Sequence, residues 1–258
     1  MMYIILLLLP ALSFASAWVR QEGEFFISPG FNYYRAKDYY DRNGNKKPIG
    51  CTFEKRELQV YGEYGLNSST TLTFKLPYQE LKCANDKTSG FSDFELGFIK
   101  SINRGKNYSL SYYGNAIIPT GYSITDNPRL GYGRLGLEGG VLVGLSGKVG
   151  FLDSGIGYRY YFGYPSSQIR SYITGGINIS KNLQFLTVFD LQLGLGDGER
   201  KAVGQNISLE PDYKLAQVYA GPRLILGHLS FVATYQHVFW GRNTGVGRGF
   251  NLGLWLNF

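Results

Sequence analysis

Apolar and polar residues alternate along most of the chain, and the final positions show the pattern most clearly. From Phe250 to Phe258, every even-numbered position is apolar. Alternation with period two predicts a β-strand with one face in an apolar medium and the other in a polar one. In a soluble protein this strand would be an exposed edge, whereas in a transmembrane barrel it pairs with the first strand. The chain is therefore predicted to be all-β, a transmembrane antiparallel up-and-down β-barrel.

Period-two stretches between turn residues predict about twelve strands. They lie near residues 23–34, 53–65, 70–81, 91–102, 107–118, 134–145, 148–162, 168–180, 183–195, 213–226, 229–240 and 249–258. The long connections are 35–52, 82–90, 119–133, 163–167, 196–212 and 241–248, and they alternate with turns of a few residues. Long extracellular loops that alternate with short periplasmic turns are typical of outer-membrane barrels.

The two faces of these strands differ in polarity. One face is apolar, and Leu58, Leu137 and Leu252 are among the residues predicted to face lipid. A charge on that face would cost ~2–4 kcal/mol at the bilayer midplane, so charged side chains are expected to face the lumen. The residues predicted to line the pore are Glu63, Lys75, Glu95, Arg134, Glu138, Asp153, Arg159, Arg170, Asp190, Gln192 and Arg223. A lumen of mixed charge in a barrel of this size indicates either a narrow pore or a salt-bridged plug.

The amino terminus has the layout of a secretory signal peptide. Residues 3–9 are apolar, Pro10 follows, and Ala15 and Ala17 form a small-x-small cleavage site. Cleavage is predicted after Ala17, so that residues 1–17 are the signal peptide and residues 18–258 the outer-membrane barrel. No other segment approaches the ~20 apolar residues of a membrane-spanning helix.

Composition and charge agree with an exported barrel. Aromatic residues make up 16% of the chain, charged residues 17%, and glycine occurs 35 times. The net charge is +7, but the basic residues form no tract, and no nucleic-acid partner is expected for an exported protein. The expected partners are outer-membrane lipid and lipopolysaccharide, whose phosphates attract positive charge. The terminal Phe258 resembles the signal read by the bacterial barrel assembly machinery, and the predicted location is the outer membrane of a Gram-negative bacterium.

The chain contains two cysteines, Cys51 and Cys83. In an exported protein such a pair is read first as a disulfide, with two free thiols as the alternative. If Val60 faces Phe74 across the turn centred on Asn67, the same register places the two cysteines directly opposite each other. A disulfide at the extracellular end of this hairpin is therefore predicted.

Catalytic and metal-binding chemistry is only weakly indicated. His228 lies in a predicted periplasmic turn and His237 near the top of a strand, far from each other in sequence. Barrel hydrolases need a nucleophile organised with a histidine, and zinc sites need clustered ligands. The acidic loops do not match a calcium loop, and the glycine-rich motifs precede no helix. The prediction is that the protein is not an enzyme and uses no cofactor or metal.

Five segments carry a resemblance to a known family. They are Trp18 and residues 26–48 (FISPGFNYYRAKDYYDRNGNKKP), 57–66 (ELQVYGEYGL), 136–144 (GLEGGVLVG) and 157–160 (GYRY). Together they resemble the bacterial outer-membrane transporter family catalogued as "MetA-pathway of phenol degradation". The resemblance extends over most of the chain after the signal peptide. It implies an outer-membrane barrel that passes small solutes, often aromatic or hydrophobic.

The predicted function is passive or facilitated diffusion of a small-molecule solute through the barrel. Selectivity would come from pore diameter and charged lining, and Arg159 and Arg170 are expected to lie close together in the upper lumen. The alternative, from a different class, is a closed structural or surface-interaction barrel whose lumen is blocked by ion pairs. A barrel enzyme is the third candidate. The transported solute and the oligomeric state do not follow from the sequence.

Overall fold

The computed structural model describes residues 16–198 and 212–258, together with the backbone of 202–203 and 207–208. The strands in this part of the chain are β1 (Phe25–Tyr40), β2 (Lys46–Asn67), β3 (Thr70–Cys83), β4 (Asp86–Phe91), β5 (Phe94–Arg104), β6 (Tyr108–Ile118), β7 (Gly136–Ser146), β8 (Gly150–Tyr161), β9 (Gln168–Asn178), β10 (Leu183–Gly194), β11 (Ala202–Val203), β12 (Ile207–Ser208), β13 (Lys214–Leu226), β14 (Leu229–Arg242) and β15 (Thr244–Asn257).

The strands close into one antiparallel barrel. Its twelve strands, counted over the described residues, are β1–β3, β5–β10 and β13–β15, and β1 pairs with both β2 and β15. At the junction of first and last strands, the Phe25 N–H donates to Phe258 O (3.1 Å) and the Phe258 N–H donates to Phe25 O (2.8 Å). The terminal strand therefore has no free edge at this point, and the predicted fold class is confirmed.

Alternating residues of each strand point to opposite sides of the wall. On β2, Leu58 is 60% exposed on the outer surface, whereas its neighbours Glu57 and Gln59 are buried in the lumen. Large apolar side chains such as Leu137 and Leu252 are likewise exposed on the outside. No helix among the described residues is long and apolar enough to cross a bilayer. The barrel thus has an apolar outer surface and a polar interior.

Three of the predicted loops are mostly strand. The predicted loop 35–52 is a continuation of β1 and β2 around a turn at residues 41–45, and residues 82–90 contain the β3–β4 hairpin. The predicted loop 241–248 is a tight turn at Asn243, which has a positive φ of 49°. These segments are rich in charged residues and glycine, and their few apolar residues, such as Ala36 and Ile49, are too widely spaced to show the alternation by which a strand is detected.

The register of the β2–β3 hairpin differs from the predicted one by two residues. Val60 faces Leu76 rather than Phe74, because the turn lies at residues 68–69, between the paired Asn67 and Thr70, and the shift between Gly65 and Asn67 offsets only one residue of that difference. Asn67 Oδ1 accepts the Ser69 N–H at 2.9 Å, so the turn is centred beyond Asn67.

The predicted disulfide is nevertheless confirmed. Cys83 faces Phe53 in the ladder. Cys51 joins it diagonally, with the two Cα atoms 5.6 Å apart. This separation lies within the range that a disulfide spans.

Candidate functional site: the barrel lumen

One side of the lumen carries a chain of alternating charges, which we call the ion-pair chain. Its members are Lys75 on β3, Glu95 on β5, Arg159 on β8, Glu138 on β7 and Arg170 on β9. Glu95 lies 4.0 Å from Lys75 Nζ and 3.3 Å from Arg159 Nη2, and Glu138 contacts Arg159 Nε and, at 3.8 Å, Arg170 Nη1.

Burial makes this chain dependent on complete pairing. The Arg159 and Glu138 side chains are each 8% exposed. The Tyr113 hydroxyl donates to the second Glu138 oxygen at 2.7 Å, so both oxygens of this carboxylate have donors. Because a buried charge is stable only when paired and hydrogen-bonded, each member of the chain depends on its neighbours.

The opposite side of the lumen carries hydrogen-bonded amides, which we call the amide chain. It consists of Asp190 and Gln192 on β10, Gln217 on β13, Gln236 on β14, Asn32 on β1 and Asn251 on β15, all buried. Asp190 Oδ2 accepts from Gln192 (2.9 Å) and Gln217 (2.6 Å). Gln217 accepts from Gln236 at 2.9 Å, and Gln236 accepts from Asn32 at 3.0 Å. The Asn32 amide also donates to Asn251 at 2.7 Å, which completes the chain across the β1–β15 seam.

Between these two chains lies a third polar group on β2 and β3. Lys55 Nζ lies 3.1 Å from Glu57 Oε2, and the Gln79 amide donates to the same oxygen at 2.6 Å. Lys55 and Glu57 are almost completely inaccessible to solvent. The lumen wall is therefore lined with paired polar groups over most of its circumference.

The connection between β6 and β7 folds into the extracellular end of the lumen. Leu130 is buried in an apolar cluster with Tyr34, Phe53 and Leu81 of the strands. Its carbonyl accepts a hydrogen bond from the Ser92 hydroxyl. Apolar contacts with strands from different parts of the wall hold this loop inside the mouth of the barrel.

A second set of contacts fixes the same loop. The Tyr122 hydroxyl donates to Asp93 Oδ1 and accepts the Gly133 N–H at 2.7 Å. Tyr132 packs edge-on against Tyr161 and Tyr164, with ring centroids 5.3 and 5.7 Å apart. Asp93, in the connection that precedes β5, is mostly buried, and this burial raises its pKa to about 6 despite the opposing effect of the Tyr122 hydrogen bond.

At the other end, the segment before β1 lies inside the lumen. Ala17 is fully buried, and its carbonyl accepts hydrogen bonds from Ser109 (2.7 Å) and Ser111 (2.6 Å) on β6. The Ala17 N–H lies 3.2 and 3.3 Å from the two oxygens of Asp153. A Cβ at Gly144 would lie 2.5 Å from Trp18 Nε1, so glycine at this position leaves room for the indole.

Arg20 holds the same segment to the wall. Its Nε lies 2.6 Å from Glu63 Oε2, and its Nη1 donates to Asn257 at 3.0 Å. Its guanidinium carbon lies 4.7 Å from the centre of the Phe26 ring. The segment 16–23 therefore narrows the lumen at the periplasmic end.

A cavity of ≈ 380 Å³ remains between this segment and the wall. Its lining is amphipathic: Phe26, Leu186 and Trp255 are apolar or aromatic, whereas Asp153 and Arg223 are charged. Cavities that are mostly apolar and carry a few polar groups are typical of small-molecule sites.

The strand pairing beside this cavity is interrupted at the β1–β15 seam. Ile27 pairs with Leu256 and Gly30 with Gly253, but Ser28 and Pro29 between them pair with no residue of β15. Proline has no N–H to donate to the ladder. A cavity of ≈ 20 Å³ at this point is lined by Ser28, Gly30, Gly253 and Trp255. On the outside, an apolar groove of ≈ 760 Å³ reaches the same two glycines.

The structure shows where the predicted pore-lining residues lie. Side chains of ten of them belong to barrel strands on the lumen side: Glu63, Lys75, Glu95, Glu138, Asp153, Arg159, Arg170, Asp190, Gln192 and Arg223. Arg134 lies before β7 in the inward-folded connection, because that strand begins at Gly136 and not at residue 134. Arg159 and Arg170 are brought together at Glu138.

Other residues that fill or line the lumen were not predicted. The amide chain was missed except for Asp190 and Gln192, because an uncharged amide on a strand gives no strong sign of which face it occupies. The lumen position of residues 16–23 was also missed, since that segment shows no alternation. Among the described residues, no group of three or more His, Cys, Asp or Glu could hold a metal ion. Of the predicted signal peptide, residues 1–15 lie outside the described residues.

Known structures share this architecture. An outer membrane channel from Pseudomonas putida F1 is 14% identical, with a TM-score of 0.81, and the match covers 96% of this chain and 100% of that one. The translocator domain of the autotransporter NalP from Neisseria meningitidis is 14% identical, with a TM-score of 0.56 and coverage of 93% and 90%. The NanC porin is 9% identical, with a TM-score of 0.55 and coverage of 89% and 98%.

These likenesses show the fold, a closed barrel of the Gram-negative outer membrane, and the predicted location is confirmed. A search of the curated proteins gives no match. A family model matches residues 22–254, which is most of the chain. The predicted resemblance is thereby confirmed, and the chain belongs to the family described as "Putative MetA-pathway of phenol degradation".

Proposed function

We propose that this protein is an outer-membrane channel for diffusion of small solutes that carry an apolar or aromatic group. The observation that carries the proposal is the amphipathic cavity of ≈ 380 Å³ inside the lumen. The family membership and the naming of the Pseudomonas putida relative as a channel support it. Diffusion through such a barrel needs no cofactor and no covalent chemistry.

The filling of the lumen favours small solutes over a wide, water-filled route. Residues 119–135 occupy the mouth, and residues 18–23, which remain after cleavage at Ala17, occupy the periplasmic end. The ion-pair and amide chains occupy the wall between them. A solute must therefore pass through narrow spaces between ordered side chains, which selects by size and shape.

The β1–β15 seam offers such a solute a route through the wall. The missing ladder pairs at Ser28 and Pro29 lie between the internal cavity and the outer apolar groove. Gly30 and Gly253 have no side chains to fill the gap. An apolar solute that leaves the cavity here would enter the membrane without crossing the filled lumen.

A cysteine pair across the seam tests this route. Gly30→Cys with Gly253→Cys places thiols on paired positions, and oxidation should reduce the uptake of an apolar solute such as toluene into liposomes several-fold. A reductant should restore it. Thr187→Cys with Ala220→Cys is the matched control, because those residues pair in an uninterrupted part of the β10–β13 ladder and line neither the cavity nor the outer groove. Equal uptake by the oxidised and reduced seam variants would contradict the lateral route.

The second candidate function is a closed structural or surface-interaction barrel. The narrowing of both lumen ends by residues 18–23 and 119–135 favours it. Planar-bilayer recording from the purified protein separates the two candidates. Discrete conductance steps support the channel, whereas their absence, together with no solute uptake by liposomes, supports the closed barrel.

We also infer that residues 1–17 are removed on export and that Phe258 addresses the chain to the barrel assembly machinery. The intact mass of protein from outer membranes tests the first point, since the mature chain should begin at Trp18. Deletion of Phe258 should lower the amount of folded barrel in the outer membrane. Copurification of lipopolysaccharide with the barrel would support lipopolysaccharide as a partner of the outer surface.

A further inference from the structure

Arg223 differs from the ion-paired arginines on the barrel strands and in the segment before β1. Arg20, Arg159 and Arg170 each lie within 4.0 Å of a carboxylate. Arg223 makes no such ion pair among the described residues; its Nη1 donates to Gln184 at 3.3 Å and its Nη2 to Ser230 at 3.1 Å. Its buried Nε has no hydrogen-bond partner. This guanidinium therefore has no carboxylate partner among the described residues and retains unused donor capacity.

The surroundings of Arg223 orient it toward the internal cavity. Its guanidinium carbon lies 4.4 Å from the centre of the Trp255 ring, and both residues line the cavity of ≈ 380 Å³. Phe26, Leu186 and Val188 supply apolar walls to the same cavity. One open cation at the edge of an apolar space matches a ligand with one anionic group and an apolar body.

The other charges of the cavity leave this position free for an anion. Glu63 is paired with Arg20 at 2.6 Å, and Asp153 accepts hydrogen bonds from Ser16 and Ala17. Carboxylates bind guanidinium through charge-assisted hydrogen bonds, and partial desolvation strengthens them. A ligand with the same apolar part but no carboxylate would contact the apolar walls and leave Arg223 without an anionic partner.

We propose that the lumen cavity binds monocarboxylates with an apolar chain or ring, with the carboxylate at Arg223 and the apolar part against Phe26, Leu186 and Trp255. This deepens the proposed function, because it names the class of solute that the channel holds. It does not depend on where the solute leaves the barrel. The site would discriminate between ligands by head-group charge, since ligands with the same apolar tail make the same contacts with the apolar walls.

The test measures ligand binding to the full barrel in lipid nanodiscs, and the quenching of tryptophan fluorescence reports the binding. Octanoate, 1-octanol and octylammonium share one tail and differ in head group. We expect octanoate to bind at least about tenfold more tightly than octanol, which corresponds to about 1.4 kcal/mol. Octylammonium should bind most weakly. Empty nanodiscs correct for partition into lipid.

Substitutions assign the preference to its residue. Arg223→Gln should remove the preference for octanoate and leave octanol binding unchanged, and Arg223→Lys should keep part of it. Arg248→Gln is the matched control, because Arg248 is exposed on the outer face of β15. Equal binding of octanoate and octanol by the unaltered protein, or an undiminished preference in a folded Arg223→Gln barrel, would overturn the proposal.

A measurement on the unaltered protein covers the case in which Arg223→Gln does not fold. The ¹³C shift of carboxyl-labelled octanoate reports its protonation as pH is lowered. Bound beside Arg223, the carboxylate should remain ionised to a lower pH than octanoate in empty nanodiscs. If the octanoate carboxyl titrated at the same pH with the barrel as in empty nanodiscs, the proposed site would be overturned. Conductance and solute uptake test the channel separately, so failure of this site and failure of the proposed function are distinguishable.

A different observation carries a second inference, which concerns Asp153. Its buried carboxylate accepts hydrogen bonds from Ser16 Oγ (2.8 Å), the Ala17 N–H and the Tyr172 hydroxyl. Cleavage after Ala17 would remove the Ser16 and Ala17 donors, leave Tyr172, and create an α-ammonium at Trp18, whose nitrogen lies 3.3 Å from Ser16 Oγ. We infer that the new amino terminus pairs with Asp153 and thereby holds the segment in the lumen.

The reactivity of the Trp18 α-amine tests this pairing. Peptide mapping after treatment with an amine-acylating reagent should show labelling at least about tenfold slower in the folded barrel than in the urea-unfolded chain. Asp153→Asn should remove most of that protection, and Asp38→Asn at the extracellular mouth should not. A mature chain that begins at another residue, or an amine equally reactive in folded and unfolded protein, would overturn the inference.

Discussion

The two sides of the lumen solve the burial of polar groups in different ways. The ion-pair chain, from Lys75 to Arg170, joins charges of opposite sign on β3 to β9. The amide chain, from Asp190 to Asn251, passes hydrogen bonds between uncharged groups and carries a charge at one end only. The stability of the ion-pair chain depends on the balance of positive and negative charges, whereas that of the amide chain depends on the orientation of each amide group. We therefore expect substitutions on the two sides to differ in cost.

The largest effect is expected at Glu138. Glu138→Gln leaves Arg159 and Arg170 without their shared carboxylate in a buried setting, at a cost of about 3–5 kcal/mol. The midpoint of the heat-dependent gel-mobility shift in detergent measures it. Glu54→Gln is the control, because its ion pair with Arg35 is 3.9 Å long and exposed, and such pairs contribute at most ~1 kcal/mol. Similar losses in both variants would remove the special role of the ion-pair chain.

The next effect concerns Arg159 and Arg170 themselves. As free pore charges they should, when neutralised together, shift ion selectivity toward cations. Since both contact Glu138, we expect instead a lower melting temperature and little change in reversal potential. Adding Glu138→Gln to Arg159→Gln should cost about 1–3 kcal/mol less than the sum of the single changes. An additive result with a shifted reversal potential would show that these arginines act as independent pore charges.

A smaller effect is expected in the amide chain. Gln217→Leu removes the amide that donates to Asp190 and the oxygen that accepts from Gln236. The loss of partners for these buried polar groups should lower the free energy of unfolding by about 1–3 kcal/mol. Chemical unfolding in detergent measures it beside Gln21→Leu, a change at an exposed position. If this loss equalled that at Glu138, the difference between the two sides would be disproved.

The smallest effect is a pH dependence at the mouth, next to the ion-pair chain. The pKa of Asp93 is about 6 in the folded protein and roughly 4 in an unfolded chain. The folded state therefore binds this proton more tightly, and stability falls as pH rises through that interval. The melting temperature should be higher at pH 5 than at pH 7, and Asp93→Asn should reduce the difference. An Asp93→Asn barrel with an unchanged pH dependence would assign it to another group.

The sequence by itself determined the features that repeat locally along the chain. Alternation gave the number of barrel strands and their two faces, since the side-chain period of a strand is two wherever one face meets lipid. The two cysteines indicated their bridge, and the segments from residue 26 to residue 160 indicated the family. These inferences need no knowledge of which strands touch across the lumen.

Only the tertiary structure decided what fills the barrel. The register around Cys83 differs from the predicted one because the turn lies at residues 68–69 rather than at Asn67, and the irregularity between Gly65 and Asn67 then changes every later pair by one residue. The pairing of Arg159 with Glu138, the amide chain and the position of residues 16–23 join segments that are distant in sequence. Such contacts depend on barrel closure, which brings inward-facing side chains together, and alternation assigns a face but does not name a partner.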